Sequence, residues 1–254
     1  MALVLDGLAF VSDSLRLMVA STMVENGGVI QADEKGFGMH TSTVTGSLTN
    51  SGTITSTIAG STNVFAIDLY SSDIEGGIIN TGTISIGGAN TGSSYAIKLD
   101  GTAEMTGLLD NSGSIAGGHW GVYVGSGVNW SGSNTGNVAV NNRLGGTIDN
   151  GFLISGGTIS GQFINAGTIN MNKFAGFGAI NMSSSGDISG GIINDTGGVF
   201  EGSGGIALNN TTANTIAFTN RGTVTGDLQK ANVTLEAGSI TGDITGSLTF
   251  SAAA

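Results

Sequence analysis

Asp73, Glu75 and Glu104 are the residues of this chain whose type and spacing come nearest to catalysis. Two carboxyl groups held a few ångströms apart, one protonated and one ionised, are the machinery of glycoside hydrolysis. A fold that superimposed the stretch holding Asp73 and Glu75 on the stretch holding Glu104 would bring all three to one edge. The remaining acids nearby are scattered, with Asp68 in the repeat of Asp73 and Glu75, Asp100 in that of Glu104, and Asp110 alone. His40 and His119 have no metal-ligand spacing to a partner, and cysteine is absent, so neither an imidazole nor a thiolate metal site is expected. The phosphate-loop and dinucleotide glycine fingerprints are missing, as is the Gly-Gly-x-Gly-x-Asp calcium repeat. The acids therefore read as solvated surface. No enzyme, catalytic residue, metal or cofactor is expected.

A second kind of chemistry is binding. Residues 117–134 contain His119, Trp120, Asn129 and Trp130, so both tryptophans of the chain lie beside small polar residues. Trp120 and Trp130 form a candidate ligand loop, suited to stacking on a sugar ring or anchoring a partner. The competing expectation is that Trp120 covers the core and Trp130 packs on a neighbouring loop. Thr43-Val-Thr45 and Thr53-Ile-Thr55 hint at an ice-binding array, but the pattern is not kept from repeat to repeat.

What must position all of these is a recurring phrase. It reads Leu48-Thr-Asn50-Ser-Gly52-Thr-Ile54, Ile78-Ile-Asn80-Thr-Gly82-Thr-Ile84 and Leu109-Asp-Asn111-Ser-Gly113-Ser-Ile115. Further copies are Phe163-Ile-Asn165-Ala-Gly167-Thr-Ile169 and Phe218-Thr-Asn220-Arg-Gly222-Thr-Val224, with a looser one at Ile192 and Asn194. The asparagines are spaced by 30, 31, 29 and 26 residues where the copies are consecutive. Such a period marks stacked units that cannot bury a core singly.

About a dozen residues after each Ile comes an alternating piece, such as Ala66-Ile67-Asp68-Leu69, Ala96-Ile97-Lys98-Leu99 or Gly121-Val122-Tyr123-Val124. Period two puts one face inward and one outward. Three short strands per repeat predict an all-β chain, a right-handed parallel β-helix of roughly seven or eight coils. Leu48, Ile78, Leu109, Phe163, Ile192 and Phe218 form one expected inner column, and Ile54, Ile84, Ile115, Ile169 and Val224 a second. The third is Ile67, Ile97, Val122, Ile180 and Ile206 or their alternating neighbours. Each buried side chain of this size is worth about 1.5–3 kcal/mol.

Asn50, Asn80, Asn111, Asn165, Asn194 and Asn220 are expected at left-handed turn positions, bonding amide to amide along the axis. The phrase falters between Asn111 and Asn165, where Ile148-Asp-Asn150 is the nearest copy and the spacings become 39 and 15. Asp68 and Lys98 share an outward slot and should form an exposed pair one strand spacing apart, ~4.8 Å.

Composition agrees with sheet throughout. Glycine is 46 of 254 residues, yet 39% are hydrophobic, so this is no disordered linker, and the absence of proline suits an unbroken ladder. The net charge of −11 argues against nucleic-acid or anionic-membrane partners, and no apolar run is long enough to span a bilayer. The first residues lack an early Lys or Arg, and Asp13 and Arg16 interrupt the apolar stretch, a poor secretory signal. Either such a signal has been removed or export uses an uncleaved address.

Two regions are expected, residues 1–28 and the repeats of 29–254. In the first, Ser12-Asp13-Ser14 ahead of Leu15, Met18, Val19 and Met23 predicts a short capped helix, covering the first coil or serving as an assembly arm. Ala2-Leu3-Val4-Leu5-Asp6-Gly7 is similar to Ala96–Gly101, a closing strand, whereas Thr245-Gly-Ser-Leu248-Thr249 repeats Thr45–Thr49, an opening strand. Ala2, Leu3 and Leu5 at one end, with Leu248 and Phe250 at the other, are thus the expected self-assembly residues. Two copies would complete a coil head-to-tail.

The phrases Leu-Thr-Asn-Ser-Gly-Thr-Ile and Ile-Asn-Thr-Gly-Thr-Ile, followed by Ala-Ile-x-Leu, resemble the repeats of bacterial autotransporter passenger domains and related secreted adhesins across residues 46–250. The resemblance implies an extracellular or cell-surface location and roles in adhesion, aggregation or matrix, and it supplies no catalytic residues. Unlike that family's pattern, no translocator barrel is expected after the repeats, which would leave export to another route. The expected function is a structural subunit of an extracellular fibre or surface layer, partnered with itself. An adhesin passenger meeting cell-surface glycans is the alternative, and a polysaccharide-active enzyme the third reading.

Overall fold

The computed structural model describes residues 2–4, 9–17, 23–57, 63–87, 93–133 and 136–251. Every strand pairing among them is parallel, with each strand lying on its equivalent one coil away, as in a parallel β-solenoid. No helix occurs among the described residues, so none is long and apolar enough to cross a membrane.

The inner columns follow the repeat register. Leu48, Ile78 and Leu109 are directly opposite one another, and their column runs on through Val140, Phe163, Ile192, Phe218 and Val233 to Leu248. The second column continues through Ile54, Ile84, Ile115, Ile148 and Ile169 to Phe200 and Val224. In the third, Ile67, Ile97, Val122, Phe152, Ile180 and Leu208 succeed one another, with Leu208 taking the slot rather than Ile206. All these side chains except Leu248 are buried in one continuous core.

Each central coil has four sides instead of three. Thr43–Val44, Asp73–Ile74, Glu104–Met105, Asn129–Trp130, Thr158–Ile159 and Asp187–Ile188 form a separate six-stranded sheet. Two residues are too few to display a period, which is why these strands escape a pattern search. They add Val44, Ile74, Met105, Trp130, Ile159 and Ile188 to the core.

The faltering repeat resolves into an ordinary coil. Val138–Asn142 lies between Leu108–Asn111 and Gln162–Asn165, so Asn142 is the missing rung and the spacings are 31 and 23. Its turn is stretched from Asn-x-Gly to Asn142-Arg-Leu-Gly-Gly146 and is closed by the Gly146 amide donating to the Arg143 carbonyl at 2.8 Å. Asn194 to Gly198 repeats this longer turn. Asn150 sits in left-handed backbone (φ 63°), off the ladder, with its amide on the Gly117 carbonyl at 2.6 Å.

The N-terminal expectations need two corrections. Ala2–Val4 pairs with Met23–Asn26, which places it in the opening column and not among the closing strands, and Leu5 lies outside the described residues. Ala9–Leu17 is a strand paired with Val29–His40, where a capped helix was expected. A ready-made parallel edge satisfies more backbone groups than one isolated helical turn, and short helices are marginal without packing. Met18 and Val19 lie outside the described residues. Residues 2–4 and 9–17 thus extend the same stack as the repeats.

Candidate functional site

Three surfaces could carry function: the asparagine ladder, the outer face of the third strands, and the two open edges. The ladder is buried. Each amide nitrogen of Asn26, Asn50, Asn80, Asn111, Asn142, Asn165 and Asn194 donates to Oδ1 of the next asparagine, ending on Asn220, at 2.7–3.0 Å. The same nitrogens donate to backbone carbonyls one coil on, among them Thr83, Ser114 and Thr147. Sequence reasoning found six of these eight and missed Asn26 and Asn142. None of the eight has a positive φ, so the expected left-handed turn is not what selects asparagine. The selection comes from the amide, which supplies donor and acceptor to successive coils inside the core. The ladder therefore holds register; among the described residues its one side-chain atom without a partner is the buried Oδ1 of Asn26 at the first rung.

The glycine of the phrase has a separate cause. A Cβ on Gly82 would lie 2.1 Å from the carbonyl oxygen of Gly52, and one on Gly113 2.1 Å from that of Gly82. Coils approach backbone to backbone there, and only hydrogen fits.

On the outer face, Asn63–Tyr70, Ser93–Asp100 and Trp120–Val124 carry all three tyrosines and Trp120. The rings of Phe65 and Tyr95 stack at 5.7 Å, and those of Tyr95 and Tyr123 at 4.6 Å. Asp68 and Lys98 are register partners as expected, but Asp68 is only 1% exposed, not a surface residue. Lys35 Nζ is its nearest cation at 2.6 Å, with His40 Nε2 at 3.5 Å and Lys98 Nζ at 3.9 Å. Lys98 also reaches Asp100 at 3.1 Å and lies over the Phe65 ring. Burial, then the charge of Asp100, raises the Tyr123 pKa above the usual tyrosine value, against a hydrogen bond from Ser155 that lowers it.

The two tryptophans do not form one loop site. Trp130 is fully buried in the core and donates its Nε1 to the Gly107 carbonyl at 3.0 Å. Trp120 is 2% exposed and packs outside the third strand against Phe177, edge to face at 5.4 Å, beside His119.

Asp73, Glu75 and Glu104 do converge, together with Thr106, around a cavity of about 100 Å³. Asp73 Oδ1 accepts from the Glu104 backbone amide at 3.1 Å, a coil-to-coil contact. Among the described residues no three His, Cys, Asp or Glu side chains, this trio included, are placed to hold a metal ion.

Comparison with protein-family models, curated proteins and solved structures finds no match.

At the edges, Ile244–Phe250 pairs on one side with the strand Thr223–Leu235 and has no second neighbour among the described residues. Leu248 is 45% exposed and Phe250 72%. Phe250 occupies the slot that Asn220 fills two coils earlier, with Leu235 between them, so the ladder passes into apolar side chains here.

Proposed function

We propose that this chain is a structural subunit of an extracellular bacterial fibre or surface layer, assembling head-to-tail through the ends of its solenoid. What carries the reading is the pair of open edges in one column. Ala2–Val4 and the 246–250 stretch both belong to the opening strands, each with a single neighbour among the described residues. A second copy can thus add as the next parallel coil, edge on edge, instead of completing a shared one. Strand addition of this kind draws affinity from main-chain hydrogen bonds, and a heterologous contact that does not close propagates as a thread. Exposed Leu248 and Phe250 would be covered in the joint.

Negative-stain microscopy and light scattering of the purified chain test this. Threads one solenoid wide are expected, and a double change of Leu248→Lys and Phe250→Glu should leave single particles. A monodisperse monomer at all concentrations, or assembly indifferent to these changes and to deletion of residues 1–7, would refute it.

A second reading, an adhesin passenger at the bacterial surface, is favoured by one observation. A stack of three aromatic rings and an ion-pair cluster of Lys35, Asp68, Lys98 and Asp100 share one outer face, whereas a pure spacer needs no such face.

A further inference from the structure

One outward column of the third strands runs Asp68, Lys98, Tyr123, Leu153, Asn181 and Asn209, each opposite the next in register. Two concavities open along it. The first, of about 220 Å³, is lined by Asn63, Phe65, Ser93, Tyr95 and the column residues Lys98 and Tyr123, with Asp100 at its side. The second, of about 290 Å³, includes the column residues Leu153, Asn181 and Asn209 beside Trp120, Phe177 and Ser183. Tyr123 and Leu153 are partners on adjacent coils, so the cavities adjoin. From Lys98 to Asn209 is four coil steps, roughly 19 Å at ~4.8 Å per step.

We infer that this strip is a binding groove for a neutral glycan chain laid along the solenoid axis. Three features select that class. The lining mixes aromatic or apolar side chains such as Tyr123, Leu153 and Phe177 with the polar groups of Asn63, Ser93, Ser183 and Asn209, the combination that meets both the C–H face and the hydroxyls of a pyranose. The charges cancel: Lys35 and Lys98 face Asp68 and Asp100, which disfavours an anionic polymer such as single-stranded nucleic acid. The coil repeat is close to the length of one sugar unit, so successive units meet successive coils.

The groove is also preorganised. Phe65, Tyr95 and Tyr123 hold one another by stacking, and Lys98 is pinned between two carboxylates, so little side-chain freedom is lost on binding. Trp120, 2% exposed, backs the second cavity beside Phe177, whereas Trp130 lies in the core and takes no part in the groove.

The test is a titration of the whole chain with cello- and chito-oligosaccharides, followed by calorimetry and tryptophan fluorescence. Oligogalacturonate and oligo-dT serve as charged comparators. Saturable binding of a neutral oligosaccharide is expected, with the emission of Trp120, which lines the second cavity, changing while that of Trp130 in the core stays constant. Tyr123→Ala and Phe177→Ala should each weaken it about tenfold or more while the circular dichroism stays that of the parent, with a lower melting midpoint expected only for Tyr123→Ala, which breaks the aromatic stack. Thr106→Ala, at the acidic cavity, should leave it unchanged. Failure of every neutral glycan to saturate, preference for a charged comparator, or binding that survives both aromatic changes would each overturn the inference. Repeating the titration on the Leu248→Lys, Phe250→Glu chain separates this claim from fibre formation, because the groove lies on the side of the solenoid and not at its end.

Discussion

The side-chain amide of Asn111 donates to Oδ1 of Asn142 at 2.8 Å, across 31 residues of chain. Asn142 hands the bond on to Asn165 at 2.8 Å. Asn142→Ala should cut the ladder in mid-stack, leaving the Oδ1 of Asn165 buried and without its amide donor. A loss of about 1–3 kcal/mol per orphaned group follows, read as a fall in the urea midpoint. Asn150→Gly, at a left-handed turn off the ladder, should shift it by less than about 1 kcal/mol. Equal effects of the two changes would contradict the rung assignment.

Gly113 faces the Gly82 carbonyl so closely that a methyl group must push two coils apart. Gly113→Ala should destabilise by at least the ~1–3 kcal/mol of an overpacked core. Gly145→Ala is the control: that glycine has open space around it, so only its left-handed backbone resists. Thermal melts of the two variants should rank them in this order.

Asp68 is buried beneath Lys35 and Lys98, whereas the Asp110 pair with Arg143 is exposed. Asp68→Asn removes the one charge that both lysines share, and about 1.5–3 kcal/mol should be lost. Asp110→Asn should cost only ~0–1 kcal/mol, because water screens the bidentate pair. Added salt should erase the second effect and leave most of the first. A smaller loss for Asp68→Asn than for Asp110→Asn would show that the buried network is not formed.

Tyr123 supplies a pH test. Its folded pKa is raised, first by burial and then by Asp100 and Tyr95, so the folded chain holds that proton more tightly than the unfolded chain does. Its contribution is fully present below the ordinary value of 10.0 and is lost as pH climbs from there through the folded value. Denaturation midpoints at about pH 9 and 11 should therefore fall further for the parent than for Tyr123→Phe. The opposite ordering would refute the assignment.

Much of this protein is written locally. The repeated Asn-x-Gly phrase and the period-two pieces dictated parallel stacking and three of the four inner columns, because each coil presents the same small set of side chains to its neighbour. Leu48, Ile78 and Leu109 could be superimposed from spacing alone. The convergence of Asp73, Glu75 and Glu104 and the register of Asp68 with Lys98 were legible for the same reason.

What spacing could not supply is whatever depends on turn length or on the third dimension. Two extra residues after Asn142 hid its rung and made Asn150 look like the copy. The two-residue fourth strands carry no period, and Ala9–Leu17 satisfies helix and strand patterns alike until a neighbouring edge decides. The burial of Asp68, the separation of Trp130 from Trp120, and the single outward column beneath two cavities emerge only when coils fix which side chains share a face. Sequence determines what each coil offers; stacking distance and wall curvature determine what those offers meet.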